Sequence, residues 1–449
     1  MDRRKFVLSS AAAATLSGAP GPALPSARQL RWHALETYAF LHFTVNTFTD
    51  KEWGYGDEDP NLFAPSAFDS TAIVEALKAG GMKAVILTCK HHDGFCLWPT
   101  KTTTHSVKST KWRDGKGDAV REIADAARRA GLGFGVYLSP WDRNHAAYGT
   151  PAYIDVYRAQ LRELLTGYGP IFEVWHDGAN GGDGFYGGAR EKRRIDKRNY
   201  YDWPGTWDLV RKLQPNAVIF SDLGPDVRWV GNEKGIAGET CWSTITPRGE
   251  KGGEPGVGDV DTKINNAGTR DGERWVPAEC DVSIRPGWFW HEAENAKVKT
   301  PEALFDIYTK SVGRGGSFLL NIPPDRRGLL HENDIASLRR FGQMIARTFA
   351  RNQAAGIKPT PEGEYRLKTP ATFDLIRIRE DIRLGHRIDS LVVETGPDWK
   401  EIAQATSIGN CRLIRLPQPL TADRIRLRVT KSSAPPAITE FGLYTVTQA

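Results

Sequence analysis

The amino-acid sequence predicts a TIM-like (β/α) barrel followed by a C-terminal all-β sandwich. Between about residues 36 and 350, short apolar runs alternate with segments of helical periodicity, which is typical of parallel βαβ units. A region of this length favours a closed barrel over an open sheet. A doubly wound sheet is the alternative, but no Gly-x-Gly-x-x-Gly motif follows the first predicted strand. The 449 residues also exceed the roughly 150 of a usual domain, so a second domain is expected.

The first half of the barrel pattern contains four strands and three helices. Apolar runs predict strands over 38–43, 84–88, 133–138 and 171–174, and helical periodicity predicts helices over 66–79, 118–130 and 151–165. Ser66 stands at the start of the first helix and Gly80 follows its end, while Pro151 occupies the first turn of the third. These boundary residues support the helical interpretation.

The second half of the pattern leads into a different kind of sequence. Strands are predicted over 217–221 and 317–322, and helices over 301–312 and 331–350. Short alternating runs then follow at 373–378, 390–394, 412–416, 424–429 and 438–446, separated by turn residues. We therefore expect a catalytic barrel over 28–355 and a β-sandwich over 360–449. The sandwich could brace the barrel or bind carbohydrate, and bracing is the simpler expectation.

The N-terminus carries the pattern of an export signal. Arg3 and Arg4 precede a short run of apolar and small residues, as in twin-arginine signals. We expect residues 1–27 to be this signal, with cleavage near Ala27 and a periplasmic or extracellular destination. The apolar run is far shorter than the roughly 20 residues of a membrane-spanning helix, so no transmembrane segment is predicted.

Composition narrows the functional classes. The formal net charge is +6, and the basic cluster at 190–198 is interrupted by Glu191 and Asp196, so nucleic-acid binding is not indicated. Five cysteines without a Cys-x-x-Cys pair do not indicate a disulfide framework. Fourteen tryptophans raise the possibility of carbohydrate binding, since an indole packs well against a sugar ring.

Polar and aromatic residues follow the first four predicted strands. His42, segment 89–95, segment 137–141 and segment 175–177 all stand at strand ends. In a β/α barrel the carboxyl ends of the strands meet on one face and carry the chemistry, so a polar pocket containing Asp177 is predicted there. Asp177 could instead cap the following turn.

A metal site is the competing use of these side chains. Metal-dependent barrel hydrolases commonly place one residue between two histidine ligands, so that both face inward. Here His91 and His92 are adjacent and would point to opposite sides of an ideal strand. Zinc is therefore disfavoured, although a strand end or loop relaxes the rule, and no cofactor is predicted.

Several segments together resemble the bacterial α-L-fucosidases of glycoside hydrolase family 29. The similar segments are Leu-His-Phe at 41–43, Glu-Trp-Gly at 52–54, Lys-His-His-Asp-Gly-Phe at 90–95, Gly-Val-Tyr-Leu-Ser at 135–139, Val-Trp-His-Asp-Gly at 174–178, Arg-Trp-Val-Gly-Asn-Glu at 228–233 and Ile-Arg-Pro-Gly-Trp-Phe-Trp at 284–290. The resemblance spans about residues 30–350 in consistent order. It implies a retaining exo-enzyme that releases terminal α-linked L-fucose, on a barrel with a C-terminal β-sandwich.

The resemblance also implies residue roles. Asp177 would be the nucleophile and Glu233 the acid/base, in the manner of the branch active on α-1,3/1,4-linked fucose. Such a pair requires carboxyl groups about 5 to 5.5 Å apart, with the acid/base pKa raised so that it holds a proton. Asp222, Asp226, Glu239 and Glu279 compete for the acid/base role. The residues expected to contact the sugar are His42, Glu52, Trp53, His91, His92, Tyr137, Trp175, Arg228, Trp288 and Trp290.

Two other classes of protein stay open from the sequence. A non-catalytic lectin could use the same aromatic and histidine pocket, but it would not need two carboxyl groups. A metal-dependent hydrolase would use the histidines as ligands and would be sensitive to chelators. The expected partners are fucosylated oligosaccharides or glycoconjugates, and the sequence leaves the oligomeric state open.

Overall fold

A computed structural model describes residues 21–447 and contains the predicted barrel and sandwich. Residues 1–20 of the expected export signal lie outside the described residues. Within 21–447, no helix is both long and apolar enough to cross a membrane. The fold class predicted from the sequence is confirmed.

Eight parallel strands form the closed barrel. They are β1 Thr37–Leu41, β2 Ala84–Lys90, β3 Gly133–Leu138, β4 Glu173–Trp175, β5 Val218–Ser221, β6 Val227–Trp229, β7 Ala278–Ser283 and β8 Ser317–Asn321. β1 pairs with both β2 and β8, which closes the sheet. The carboxyl ends of all eight strands therefore point to one face of the barrel.

Helices connect most of the strands and cover the outside of the barrel. They are α1 Ala27–His33, α2 Val45–Thr49, α3 Ser70–Ala79, α4 Ala119–Ala130, α5 Ala152–Gly167, α6 Trp203–Leu213, α7 Thr262–Ala267, α8 Pro301–Lys310 and α9 Glu332–Thr348. The helix expected from Ser66 begins at Ser70 instead. Asp69 is its N-cap, and its carboxylate accepts hydrogen bonds from the N–H groups of Thr71 and Ala72 at 2.9 Å.

Strands β6 and β7 and helices α1, α2, α6 and α7 were not predicted from the sequence. β6 has only three residues and follows β5 after a five-residue segment without a helix, so the strand–helix rhythm is broken there. Helix α1 begins at Ala27, where the expected signal ends, and Ser26 caps it through a reciprocal capping box with Gln29. The folded chain therefore starts before residue 28.

The C-terminal domain is a five-stranded antiparallel sheet folded into a sandwich. Its strands are β9 Glu364–Glu380, β10 Ile388–Thr395, β11 Lys400–Ala405, β12 Arg412–Ser432 and β13 Ile438–Tyr444, in the order β11-β10-β12-β9-β13. The long strands β9 and β12 change pairing register along their length, so each contributes to both halves of the fold. Phe373, Ile376, Leu391 and Ile425 belong to one buried core between those halves.

Polar contacts tie the sandwich to the barrel. Arg379 pairs with Glu36, and the buried Arg412 pairs with Glu239 of the barrel. The Nε2 atom of His386 accepts a hydrogen bond from the N–H of Ser243 at 2.9 Å. These contacts agree with a bracing role for the second domain.

Candidate active site

Alternating residues of each strand build the interior of the barrel in layers. On β1, Tyr38 and Phe40 point into the barrel interior, and the next residue of this series, His42, lies just beyond the strand end. On β4, Glu173 and Trp175 occupy successive interior positions, and Asp177 continues the series. The lower layers are packed and buried, so a cavity opens only at the carboxyl end of the barrel.

The cavity has a volume of about 260 Å³. It is lined by four carboxyl groups, three histidines and a set of aromatic rings. The lining residues are Phe40, His42, Trp53, His91, His92, Trp175, Asp177, Gly178, Ala179, Phe220, Asp222, Trp229, Glu233, Asp281 and Trp288. A small pit with apolar walls and converging polar groups is the usual form of a monosaccharide-sized ligand site.

Asp177 lines this cavity and is held in place by two hydrogen bonds. The hydroxyl of Tyr137 donates to Oδ2 at 2.8 Å, and the N–H of Ala179 donates to Oδ1 at 2.7 Å. Burial raises the pKa of Asp177, and these two donors oppose the rise. The Nε2 atom of His92 lies 3.8 Å from Oδ2. Asp177 is thus a fixed carboxyl group that still faces the cavity.

Glu233 lines the same cavity from the loop after β6 and is the more exposed of the two predicted catalytic residues. Its pKa is raised by partial burial and by the negative charge of Asp177, while a hydrogen bond from Trp288 lowers it. Both carboxyl groups predicted from the sequence therefore line the same cavity.

Two further acids line the cavity. Asp222 follows β5 at the position that corresponds to Asp177 on β4, since Trp175 pairs with Phe220 in the sheet. Its Oδ2 atom accepts the N–H of Gly258 at 2.7 Å, and burial together with Asp177 raises its pKa to about 7. Asp281 is buried on β7 and accepts the indole N–H of Trp229 at 2.9 Å. Sequence analysis weighed Asp222 as an acid/base rival and missed Asp281, because β7 was not recognised as a strand.

The three cavity histidines are neutral. Burial lowers the pKa of His42 and of His92 to about 3 and that of His91 well below its usual range. Nδ1 of His42 lies 2.9 Å from Oδ1 of Asn321, and Nδ1 of His92 lies 2.7 Å from Oγ of Ser139. Both His91 and His92 line the cavity, with ring centroids 4.0 Å apart, because the chain leaves the regular strand after Lys90. Neutral imidazoles can exchange hydrogen bonds with sugar hydroxyls.

Aromatic rings form the floor and mouth of the cavity. Trp175 stacks on Phe220 with centroids 4.2 Å apart, and Phe40 meets Trp175 edge-on at 5.1 Å. At the mouth, Trp53 is 51% exposed and packs edge-on against His92 and Trp141. The cavity floor is therefore closed, while an apolar surface extends outward from its mouth.

Four of the residues expected to contact the sugar do not line the cavity, namely Glu52, Tyr137, Arg228 and Trp290. Tyr137 is completely buried and donates its hydroxyl to Asp177 instead. Arg228 is completely buried, and its guanidinium donates to the carbonyl oxygens of Asn265, Val276 and Trp242 outside the cavity. Trp290 is buried beneath Arg326 and does not line the cavity. For Arg228 and Trp290 the expected contact is wrong, because the side chain faces away from the cavity.

Glu52 does not line the cavity but holds a segment that does. Its carboxylate accepts the N–H groups of Trp288 at 2.9 Å and Phe289 at 3.2 Å, and Oε1 lies 2.6 Å from Nε2 of His291. It thereby holds the segment that carries Trp288. Its expected contact with the sugar is replaced by this supporting role.

The other competing acids are engaged in structural contacts. Asp226 pairs with Arg28 and Arg211, and Glu239 pairs with Arg412 and Arg314. Glu279 lies inside the barrel, below the cavity, where it accepts the indole N–H of Trp175 at 2.6 Å. None of these three lines the cavity, which leaves Asp222 and Asp281 as the cavity acids beside the predicted pair.

Among 21–447, no group of three His, Cys, Asp or Glu side chains is arranged to hold a metal ion.

Phe40, Phe220 and Trp229 line the cavity but were not predicted from the sequence. The signal for Phe40 and Phe220 was their two-residue spacing from other inward-facing strand positions.

Comparison with known proteins identifies the relatives of this chain. A family model described as Alpha-L-fucosidase matches residues 23–348. Alpha-L-fucosidase 1 of Arabidopsis thaliana is 42% identical over 461 residues, covering 94% of this chain and 87% of the relative.

Solved structures give the same result. A glycoside hydrolase 29 family member from an unknown rumen bacterium superposes with a TM-score of 0.90 at 44% identity, covering 96% of this chain and 79% of that one. A GH29 fucosidase of Ruminococcus gnavus, solved as a mutant in complex with fucose, has a TM-score of 0.80 at 30% identity and covers 96% and 97%.

Proposed function

This chain belongs to the α-L-fucosidase family, glycoside hydrolase family 29, and we propose that it hydrolyses terminal α-L-fucosyl linkages with retention of configuration through a covalent fucosyl-enzyme intermediate. The single observation that carries the proposal is the fixed and hydrogen-bonded Asp177 facing a small cavity that also contains Glu233. Two neighbouring carboxyl groups with different surroundings are what a retaining glycosidase requires.

The shape of the cavity supports action at chain ends. Phe40, Trp175 and Phe220 close its floor, and the barrel below is packed. A glycan can therefore enter only through the mouth of the cavity, and one terminal sugar fills the cavity. The leaving part of the glycan stays outside, against the exposed ring of Trp53.

Asp177 acts as nucleophile in this proposal and Glu233 as acid/base. Asp177 is oriented by the donors Tyr137 and Ala179, whereas Glu233 stands on a loop at the mouth, where the leaving oxygen must be protonated. Asp222 has a raised pKa as well, but its carboxylate lies against the Cα of Gly178 and accepts the N–H of Gly258. Asp222 is thus placed to support the nucleophile loop.

Trapping with azide tests the two roles separately. In the Asp177→Ala enzyme, azide can enter from the vacated side and yield the β-fucosyl azide from an activated α-fucoside. In the Glu233→Ala enzyme, azide can attack the intermediate from the water side and yield the α-fucosyl azide. NMR identification of both products would support the assignment. The same azide anomer from both variants would overturn it.

Surface substitutions provide matched controls. Asp271→Asn changes a 90% exposed aspartate, and Glu75→Gln changes an exposed glutamate on α3. Both should release fucose at the wild-type rate. Failure of the wild-type protein to release fucose from any α-fucoside would refute the proposed activity itself.

We further propose a preference for α-1,3/1,4-linked fucose in branched glycans. The support is the sequence resemblance around Glu233 and the aromatic mouth formed by Trp53, Trp229 and Trp288, which offers apolar surface to a branched sugar. Release of fucose from a Lewis-type trisaccharide and from 2′-fucosyllactose tests it. Equal rates on both substrates would refute the preference.

Export by the twin-arginine route is proposed from residues 1–27. The full chain, expressed in a bacterium that has this pathway, should be recovered outside the cytoplasm in a shortened form, whereas Arg3→Lys with Arg4→Lys should keep it inside. Because Ser26 caps α1, we expect the cut before this residue. N-terminal sequencing of the exported protein locates the cut.

A further inference from the structure

A closed cluster of polar side chains lies inside the barrel, directly below the cavity. It contains two carboxyl groups, Glu173 at the start of β4 and Glu279 on β7, both completely buried. Its donors are Trp32 of α1, Tyr38 of β1 and Trp175 of β4. The proposed reaction uses neither carboxyl group, although the cluster reaches the cavity through Trp175.

The hydrogen bonds distinguish the two carboxyl groups. Glu279 accepts the indole N–H of Trp175 on Oε1 at 2.6 Å and the hydroxyl of Tyr38 on Oε2. Glu173 accepts only the indole N–H of Trp32 at 3.2 Å, and that donor is shared with Tyr38 at 2.9 Å. The other oxygen of Glu173 is buried and meets no N–H or O–H donor in the described part of the chain.

The two carboxyl groups belong to one hydrogen-bonded cluster, since the indole N–H of Trp32 reaches both Glu173 at 3.2 Å and the hydroxyl of Tyr38, which donates to Glu279. Each acts on the pKa of the other, and no basic side chain among residues 21–447 compensates either of them. Two adjacent buried carboxylates without a cation cannot both be ionised. One proton therefore has to be present, and it belongs on Glu173, since Glu279 already accepts two donors. Burial and the adjacent Glu279 raise the pKa of Glu173 well above its usual range, in agreement with this assignment.

We propose that protonated Glu173 donates a hydrogen bond to ionised Glu279, and that Glu279 is a positioning residue that fixes Trp175 and the end of β4 beneath the cavity. Asp177 is two residues beyond Trp175, so the anchor of the Trp175 ring also sets the place of the nucleophile. Displacement of a reacting group by about 1 Å can cost on the order of a hundredfold in rate. The effect on catalysis rests on the proposed function, whereas the protonation of the pair does not.

Two substitutions to glutamine separate the roles. Glu173→Gln replaces a neutral acid by a neutral amide that can still donate to Glu279, so kcat should stay within about twofold of wild type. Glu279→Gln removes the charge that anchors Trp175, so kcat should fall about tenfold or more while KM changes less than about threefold. Glu75→Gln on the surface of α3 serves as the control. If Glu279→Gln fails to fold, Glu279→Asp is the second variant. Its side chain is one methylene shorter, which moves the carboxylate away from the indole N–H of Trp175, so it should give the same loss of kcat.

Two readouts do not depend on substrate. The indole N–H resonance of Trp175, assigned by its disappearance in Trp175→Phe, should keep its downfield position in Glu173→Gln and move upfield in Glu279→Gln. Because the pKa of Glu173 is raised in the folded state, its stabilising contribution is complete below the unfolded value of about 4.3 and is lost as pH rises. Glu173→Gln should therefore match the melting temperature of wild type at pH 4 and exceed it increasingly above pH 5.

Equal loss of kcat in Glu173→Gln and Glu279→Gln, or an unchanged Trp175 resonance in Glu279→Gln, would overturn the proposal. A melting-temperature difference between Glu173→Gln and wild type that does not depend on pH would also overturn it. If the wild-type protein releases no fucose, the proposed function fails, and the resonance and melting data still decide whether the pair shares a proton.

Discussion

The hydroxyl of Tyr137 donates a 2.8 Å hydrogen bond to Oδ2 of Asp177, across neighbouring strands β3 and β4. Tyr137 lies on β3 and is completely buried, so its hydroxyl cannot exchange this partner for bulk water. The bond lowers the pKa of a carboxyl group that burial raises. The bond therefore favours the ionised form of Asp177, which the proposed reaction requires.

Tyr137→Phe should shift the acidic limb of the activity profile to higher pH. Loss of the donor raises the pKa of Asp177, and the reaction needs the ionised form, so activity is lost at a higher pH on acidification. A hydrogen bond to a charged group contributes about 1.5–3 kcal/mol, which predicts a roughly tenfold to hundredfold lower kcat/KM. The pH dependence of kcat/KM is the measurement, with Tyr365→Phe in the sandwich core as the control. An acidic limb at the wild-type position would contradict the prediction.

Gly178→Ala should inactivate the enzyme without any change in a polar group. A Cβ atom at Gly178 would lie 2.0 Å from Oδ2 of Asp222, so either the Asp222 carboxylate or the backbone beside Asp177 has to move. We expect a loss of at least about a hundredfold in kcat. Gly167→Ala is the matched control, because no heavy atom lies within 4 Å of its Cβ position and it ends helix α5. Full activity of Gly178→Ala would show that the Asp222 contact has no catalytic importance.

Glu233→Gln and Asp222→Asn should differ in their pH profiles. The acid must be protonated when the leaving oxygen departs, so activity falls as pH rises through its pKa. Glu233→Gln should lose this alkaline limb, release fucose from glycans more than a hundredfold more slowly, and still cleave a dinitrophenyl fucoside. Asp222→Asn should keep the limb and lose less than tenfold, because the amide oxygen can accept the N–H of Gly258. The reverse pattern would assign the acid to Asp222.

His386→Gln should make stability less dependent on pH. His386 is buried between the domains, stacks on Trp275 with centroids 4.9 Å apart, and has a pKa lowered to about 3. Its stabilising contribution is present above the unfolded pKa of about 6.5 and is lost as pH falls towards 3, by up to about 1.4 kcal/mol per pH unit. The substitution should cost about 1–2 kcal/mol at pH 8, and this deficit should shrink by pH 5. Urea unfolding at both values measures it, and an equal deficit at both would refute it.

Removal of metal ions should leave fucose release unchanged. Nδ1 of His42 is paired with Asn321 and Nδ1 of His92 with Ser139, which leaves their Nε2 atoms for sugar hydroxyls. The initial rate before and after dialysis against EDTA is the measurement. A loss of activity that zinc restores would favour the metal-dependent alternative.

The sequence by itself determined much of the order of the elements and the position of Asp177 at the carboxyl end of a strand. Short apolar runs mark β1 to β5 and β8, and the polar residues His42, His91 and Asp177 at their ends can be read locally, because both features belong to a single strand. Helices α3, α4, α5, α8 and α9 were likewise located by their periodicity and boundary residues, with an error of four residues at the start of α3, where Asp69 and not Ser66 is the cap.

Only the tertiary structure decided which polar groups meet. Arg228 and Asp222 both follow β5 in the sequence, yet closure of the barrel buries the first among backbone carbonyls and brings the second beside Asp177. The Glu173–Glu279 pair was hidden for the same reason, since inward side chains of β4 and β7 meet only inside the closed barrel, and Asp281 was missed because β7 was not recognised as a strand. Contacts between residues about a hundred positions apart depend on strand order and register, and these are set by packing of the whole sheet rather than by any local pattern.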